Sequence, residues 1–123
     1  FHSGVSGLLE MVYNRPPTGH VVVILDNGTT AMTGLQDHPG TGRRLDGTPV
    51  AAVACETFAQ SLGVDSVAVW DPVRQRDQFR NHVRERLAAD GLSVIVARRP
   101  CMLAQRRAAR HREADGRPRG APA

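Results

Sequence analysis

A chain of 123 residues with a formal charge of +4 has room for one domain with a core of its own, and not for two. All sixteen basic residues are Arg, so neither a Walker A phosphate loop nor a Schiff-base lysine can be built from it. There is no apolar run long enough to cross a bilayer and no signal-peptide pattern, which makes cytoplasm the expected location and leaves no membrane partner expected.

Residues 4–14 read as a short helix capped by Ser3 or Ser6, with Leu8, Met11 and Val12 at helical spacing and an end at Asn14-Arg15-Pro16-Pro17. Val21 to Leu25 is an apolar, mostly β-branched run, the pattern of a strand buried on both faces in a parallel sheet. A helix leading straight into such a strand implies an earlier strand. The chain is therefore expected to be a fragment of a longer protein, with its first strand lost before Phe1. After Leu25 comes a loop, Asp26 to Thr48, with five glycines and Pro39, too long to be idle in a compact domain. The spacing predicts a second helix from Pro49 with Thr48 as its cap, an apolar face of Val50, Val53, Phe58 and Leu62, and Gly63 as its stop. Ser66–Trp70 is the next strand, ending at Asp71-Pro72, an N-cap and first-turn proline. The third helix runs to about Asp90, with Phe79, Val83 and Leu87 on one face and a solvated Arg-rich face opposite. Ser93–Ala97 is the last strand, and an Arg/Ala-rich helical stretch starts at Met102. The alternation implies an α/β fold: a parallel sheet with helices on both faces.

The tail differs in charge from the rest. Residues 1–97 hold eight Arg against ten acidic residues, while residues 98–123 hold eight Arg against Glu113 and Asp115. Such a tail can attach to an acidic partner or to nucleic acid, but more often it is simply solvated, and nucleic acid is not the expected partner. Residues 115–123 are expected to be disordered. Cys55 and Cys101 belong to no C-x-x-C and cannot alone form a zinc site or Fe–S cluster. Cys55 is expected to pack as a small hydrophobe. His20, His82 and His111 read as surface residues.

The chemistry gathers where the first strand ends. Asp26, Asn27, Gly28, Thr29 and Thr30 place a carboxylate, an amide oxygen, hydroxyls and backbone carbonyls at the carboxyl end of a parallel strand, where ligands of open α/β sheets bind. These hard oxygens suit Mg2+ and a phosphorylated ligand. Asp-Asn-Gly is also common turn chemistry, and an ordinary strand-end turn stays open as the other reading.

Phe1-His-Ser-Gly4, Leu25-Asp-Asn-x-Thr-Thr-Ala-Met-Thr-Gly34, His38-Pro-Gly-Thr-Gly42 and Ala97-Arg-Arg-Pro-Cys101 resemble, in order and spacing, the thiamine diphosphate-binding domain of the indolepyruvate ferredoxin oxidoreductase alpha subunit. The likeness covers residues 1–103, expected to be a binding domain of the C-terminal type truncated at its N-terminus, and leaves residues 104–123 as an Arg-rich tail. The resemblance implies that Asn27 gives its side-chain oxygen to Mg2+ and Thr29 its backbone carbonyl. Gly28 would let the backbone turn around the ion, and Met32 and Thr33 would lie along the cofactor. The missing segment would supply a further ligand. In that family Arg usually stands at the position of Gly28, His at that of Leu35 and Pro at that of Asp37, so cofactor binding is the firmer part of the likeness. The carboxylate that activates the cofactor belongs to another domain, with Glu10 and Glu56 matching nothing in that role. His2 fits the Phe-His-Ser-Gly motif and could face the cofactor cleft or be only a frayed end; His38 sits in the loop and could hold it closed, touch a neighbouring domain or, less expectedly, act directly in catalysis.

The implied function is the Mg2+/thiamine diphosphate part of a 2-oxoacid oxidoreductase. It would decarboxylate aryl pyruvates oxidatively to acyl-CoA, with coenzyme A as co-substrate and ferredoxin as electron acceptor. Fe–S clusters would lie in the missing parts or in a second subunit, and no catalytic residue is assigned within this chain. A non-oxidative 2-oxoacid decarboxylase with the same cofactor is the near alternative. A non-catalytic remnant with a basic, partner-binding tail is the alternative of another class.

Overall fold

The computed structural model describes residues 2–106 and residue 109. A 3-10 turn, His2–Gly4, leads into α1 (Val5–Tyr13), followed by β1 (Gly19–Asp26), α2 (Cys55–Ser61), β2 (Ser66–Trp70), α3 (Arg76–Ala88) and β3 (Gly91–Arg98). Residues 102–106 are helical, as the sequence predicts, and the expected disorder of residues 115–123 lies outside the described residues, as does His111.

The three strands form one parallel sheet in the order β1-β3-β2. The chain crosses from β1 over α2 to β2 and returns over α3 to β3. The crossovers run in opposite directions, and the right-handed rule for parallel connections then puts their helices on opposite faces, so the expected α/β architecture is present. On one face Leu8 of α1 and Cys55 and Ala59 of α2 pack with Ile24, Leu92, Val94 and Val96. Ile95 is fully buried and, by strand alternation, points to the other face.

The strand buried on both faces is β3, not β1. Gly91 to Ala97 are all buried, because β3 has a neighbour on each side and helices above and below. Among the described residues β1 is an edge strand: only Ile24 is buried, and Leu25 is 82% exposed. The apolar run that predicts a central strand is thus half uncovered here.

Further expectations are corrected. The N-cap of α1 is Gly4 and no side chain caps it, so neither Ser3 nor Ser6 plays that part. The second helix begins at Cys55 rather than Pro49. Pro49 instead bridges to Arg43, and the amides of Val50 and Val53 donate to the carbonyls of Gly42 and Pro39, which folds this stretch back on the loop. The third helix begins at Arg76; Asp71 caps only the turn before it, accepting bonds from the amides of Val73 and Arg74. His82 is half-buried, its ring 5.8 Å from that of Trp70, and Leu87 is exposed. Ser66–Trp70, the Gly63 stop in left-handed conformation and buried Cys55 are as expected. No helix among the described residues is long and apolar enough to cross a membrane.

Candidate functional site

All three strands run the same way, so their carboxyl ends meet at one edge of the sheet, and two ion pairs join them there. Asp26 and Arg98 are register partners at the ends of β1 and β3. The Arg98 Nε donates to Asp26 Oδ2 at 2.8 Å, while Nη1 and Nη2 donate to the two Glu56 carboxylate oxygens at 3.0 and 2.6 Å. Arg99, the next residue, donates from Nη1 to Asp71 Oδ1 and Oδ2 at 3.2 and 3.1 Å, tying β3 to the end of β2. The Arg98 bonds hold the Glu56 carboxyl below the usual carboxylate range, and the two carboxylates hold Arg98 firmly protonated. For Asp71 the amides of Arg74 and Val73 and the Arg99 guanidinium act in the same downward direction as for Glu56.

The Asp26–Thr29 corner is an Asx-type turn built twice over. The Gly28 amide donates to Asp26 Oδ1 and the Thr29 amide to Asn27 Oδ1, each at 3.1 Å. Gly28 sits at φ +72°, where glycine is at ease, and a side chain there would meet nothing within 4 Å. The chain beyond β3 fastens the same corner from the other side: Arg99 N donates to Asp26 O and Cys101 N to Asn27 O, both at 2.9 Å.

The long loop is folded rather than slack. Thr30 and Gln36 exchange backbone bonds across a narrow hairpin in which Gly34 and Leu35 have positive φ. Thr29 is buried, and its hydroxyl donates to the Gln36 carbonyl at 3.2 Å. His38 fastens the next turn: its Nδ1 accepts from the Gly40 amide and its own amide donates to Thr41 Oγ1. The loop-fastener reading of His38 therefore has a geometric basis.

Two clefts open beside the corner. One, of about 170 Å3, is lined by Asp26, Asn27, Thr29, Thr30, His38 and Cys55. The other, of about 320 Å3, lies between Gly28, Gly40, Val53, Glu56, Arg98 and Pro100. Burial pushes the Cys55 thiol up, with the Asp26 and Glu56 charges adding to it, so it faces the clefts as a neutral group. A larger apolar groove of about 480 Å3 runs between α1 and β1, from Gly4 and Leu8 to Leu25.

The structure thus brings together Asn27, Gly28 and Thr29. It does not bring Met32 or Thr33 to the same clefts: Met32 is 99% exposed at the hairpin tip, and the Thr33 hydroxyl bonds Gln36 Oε1 at 2.6 Å. Asn27 Oδ1 accepts one amide bond and keeps a lone pair, and Asn27 lines the smaller cleft together with Thr29 and Thr30. Among the described residues no three His, Cys, Asp or Glu side chains converge on a metal position. A corner with few protein oxygens fits Mg2+, which usually takes one or two protein ligands and fills its octahedron with phosphate oxygens and water.

The family described as thiamine pyrophosphate enzyme, C-terminal TPP binding domain, matches residues 1–97. The chain belongs to that family. This TPP-binding domain is 42% identical over 109 residues to the indolepyruvate oxidoreductase subunit IorA of Archaeoglobus fulgidus, a match that covers 89% of the chain and 17% of the relative. It is 41% identical over 103 residues to the subunit of the same name from Pyrococcus abyssi, covering 84% of the chain and 15% of the relative. For the Methanothermobacter marburgensis subunit the identity is 37% over 105 residues, covering 85% and 16%. The likeness carried by the loop motifs is borne out, and the TPP-binding domain spans about a sixth of the length of these curated relatives. No solved structure matches it significantly.

Arg98 stands in one of the family motifs and Glu56 is weighed only as an activating carboxylate; what sequence reasoning does not find is that the two pair with each other and with Asp26. The signal was faint: an Arg and an Asp each ending a predicted parallel strand.

Proposed function

We propose that this domain is the Mg2+/thiamine diphosphate-binding part of an indolepyruvate-type 2-oxoacid:ferredoxin oxidoreductase. Supporting the reading is one observation above the others. The hard-oxygen corner Asp26–Thr29 stands at the carboxyl ends of parallel strands, where open α/β sheets take their ligands. Asn27 would hold the metal through its side-chain oxygen and Thr29 through its backbone carbonyl, with Gly28 leaving space for the diphosphate. Met32 and Thr33, at the hairpin tip, would meet the cofactor from the side of the loop. When bound, the cofactor supplies the electron sink for decarboxylating a 2-oxo acid.

The domain's own residues orient and exclude. The Thr29–Gln36 bond and the His38 turn hold the loop over the corner, and buried Cys55 keeps one wall of the cleft uncharged. Aryl pyruvate and coenzyme A would be the substrates, ferredoxin the electron acceptor, and a second subunit or the remainder of the same protein the bearer of Fe–S clusters and of the activating carboxylate. The enzyme would work in the cytoplasm.

The test is a titration of the full-length protein with thiamine diphosphate, with and without Mg2+, followed by an assay with indolepyruvate, coenzyme A and oxidised ferredoxin. Mg2+-dependent binding and coenzyme A-dependent ferredoxin reduction are expected. Release of a free aldehyde with no ferredoxin reduced would assign the non-oxidative decarboxylase instead.

A further inference from the structure

A continuous line of bonds runs from α2 to the corner. The Arg98 guanidinium grips Glu56 with both terminal nitrogens and Asp26 Oδ2 with Nε; Asp26 Oδ1 then accepts the Gly28 amide, the peptide between the two proposed ligand residues. The residues that follow Arg98 complete the hold through the carbonyls of Asp26 and Asn27. Ion pairs as exposed as these add little to stability, since water competes for both partners. A planar fork that binds two carboxylates at once does, however, fix direction, which a point charge cannot do.

We infer that Arg98 is a positioning residue: by bridging Glu56 and Asp26 it sets the orientation in which Asn27 and Thr29 present their oxygens, and it keeps the Asp26 carboxylate turned away from the metal. The inference rests on the reading of Asn27 and Thr29 as metal-binding. Without the guanidinium, Asp26 and Glu56 would repel each other, and Asp26, a hard-oxygen group next to Asn27, would be free to turn to the ion. The consequence is geometric, so it depends on how strict the ion is. Mg2+ demands a near-ideal octahedron with short bonds, whereas Ca2+ accepts six to eight oxygens in flexible arrangements.

The experiment is a calorimetric titration of thiamine diphosphate into the full-length protein at saturating Mg2+ and again at saturating Ca2+, for the parent, Arg98→Gln, Arg98→Lys and Asn27→Ala. Arg98→Gln is expected to weaken binding about tenfold with Mg2+ and by less than about threefold with Ca2+. Arg98→Lys, which keeps the charge but reaches one carboxylate at a time, should fall between Arg98→Gln and the parent with Mg2+. An equal loss with both ions, in either Arg98 variant, would reduce Arg98 to a supporter of the fold and overturn the inference. So would parental affinity of Arg98→Gln beside a weakened Asn27→Ala, and in that case the cofactor-site reading would stand. Parental affinity of Asn27→Ala with Mg2+ would remove that reading and this inference with it. If Arg98→Gln does not fold, the two-ion comparison on Arg98→Lys decides alone.

Discussion

Asp26 spends its two carboxylate oxygens on different tasks: Oδ2 closes on Arg98 at 2.8 Å across the sheet, and Oδ1 turns the chain at Gly28. Adjacent Asn27 uses its own side chain to turn Thr29. One residue thus anchors the corner to the sheet, and the other gives it its outward face.

Asn27→Ala in the full-length protein should weaken Mg2+-dependent thiamine diphosphate binding by roughly ten- to a hundred-fold, the effect of about 1.5–3 kcal/mol for one interaction with a charged group. Asn27→Asp should lose less, because a carboxylate is also a hard-oxygen ligand. Thr29→Ala leaves the backbone carbonyl in place but removes the bond to the Gln36 carbonyl, so it should loosen the loop and cost a few-fold. Calorimetric titration at fixed Mg2+ ranks the three. A Thr29→Ala loss greater than that of Asn27→Ala would reverse the assigned roles.

Acid should weaken the domain through Glu56 by a small amount, since water screens the exposed Arg98 pair. Its folded pKa is depressed by the Arg98 bonds, so the unfolded chain binds the proton more readily. The stabilisation is complete above the ordinary glutamate value of about 4.3 and is lost as pH falls through the lower folded value. Glu56→Gln should flatten the decline of melting temperature between about pH 5 and about pH 3. A variant whose melting temperature declines as steeply as the parent's would show that Glu56 carries none of this dependence.

Gly19 should tolerate no side chain. A Cβ there would collide with the carbonyl oxygens of Leu87 and Ala89, backbone atoms that cannot swing aside. Gly19→Ala should destabilise by about 1–3 kcal/mol, as overpacking does, and lower the urea midpoint accordingly. An unchanged midpoint would mean that β1 and the end of α3 can separate without loss.

The open side of β1 should be covered in the full-length protein. Leu25 and Val23 stand exposed beside the groove under α1, an apolar surface of the kind that marks a contact site. A cysteine placed by Leu25→Cys should react slowly with a thiol reagent in the folded full-length protein and quickly in urea, read by mass spectrometry of the peptide that holds it. Fast labelling in the folded state would refute the covering.

Local chemistry made much of this legible. Ser66–Trp70 is bounded by Gly63 and Asp71-Pro72, and the structure keeps those limits. The Asp-Asn-Gly corner could be placed at a strand end because an apolar run leads straight into it. Thr48-Pro49 misled because cap-and-proline chemistry is the same at a helix start and at a turn; here the amides that follow go to Gly42 and Pro39 instead. The central place of β3 depends on strand order, which no single run reveals. Arg98, Asp26 and Glu56 meet across 72 and 42 residues of chain, and that meeting is set by register.

The turn at Arg44–Thr48 closes on itself, with Gly47 N bonded to Arg44 O, Arg44 N to Thr48 O, and Leu45 91% exposed at its tip. It touches neither cleft, whereas residues 99–101 are stapled to the corner by two amides. The far turn of the loop and the segment after β3 therefore differ in what can be done to them. A reporter peptide spliced between Leu45 and Asp46 would leave the corner intact, while new chain termini opened between Arg98 and Cys101 would release it. The first is a seam where the chain can be cut and rejoined, and the second is not.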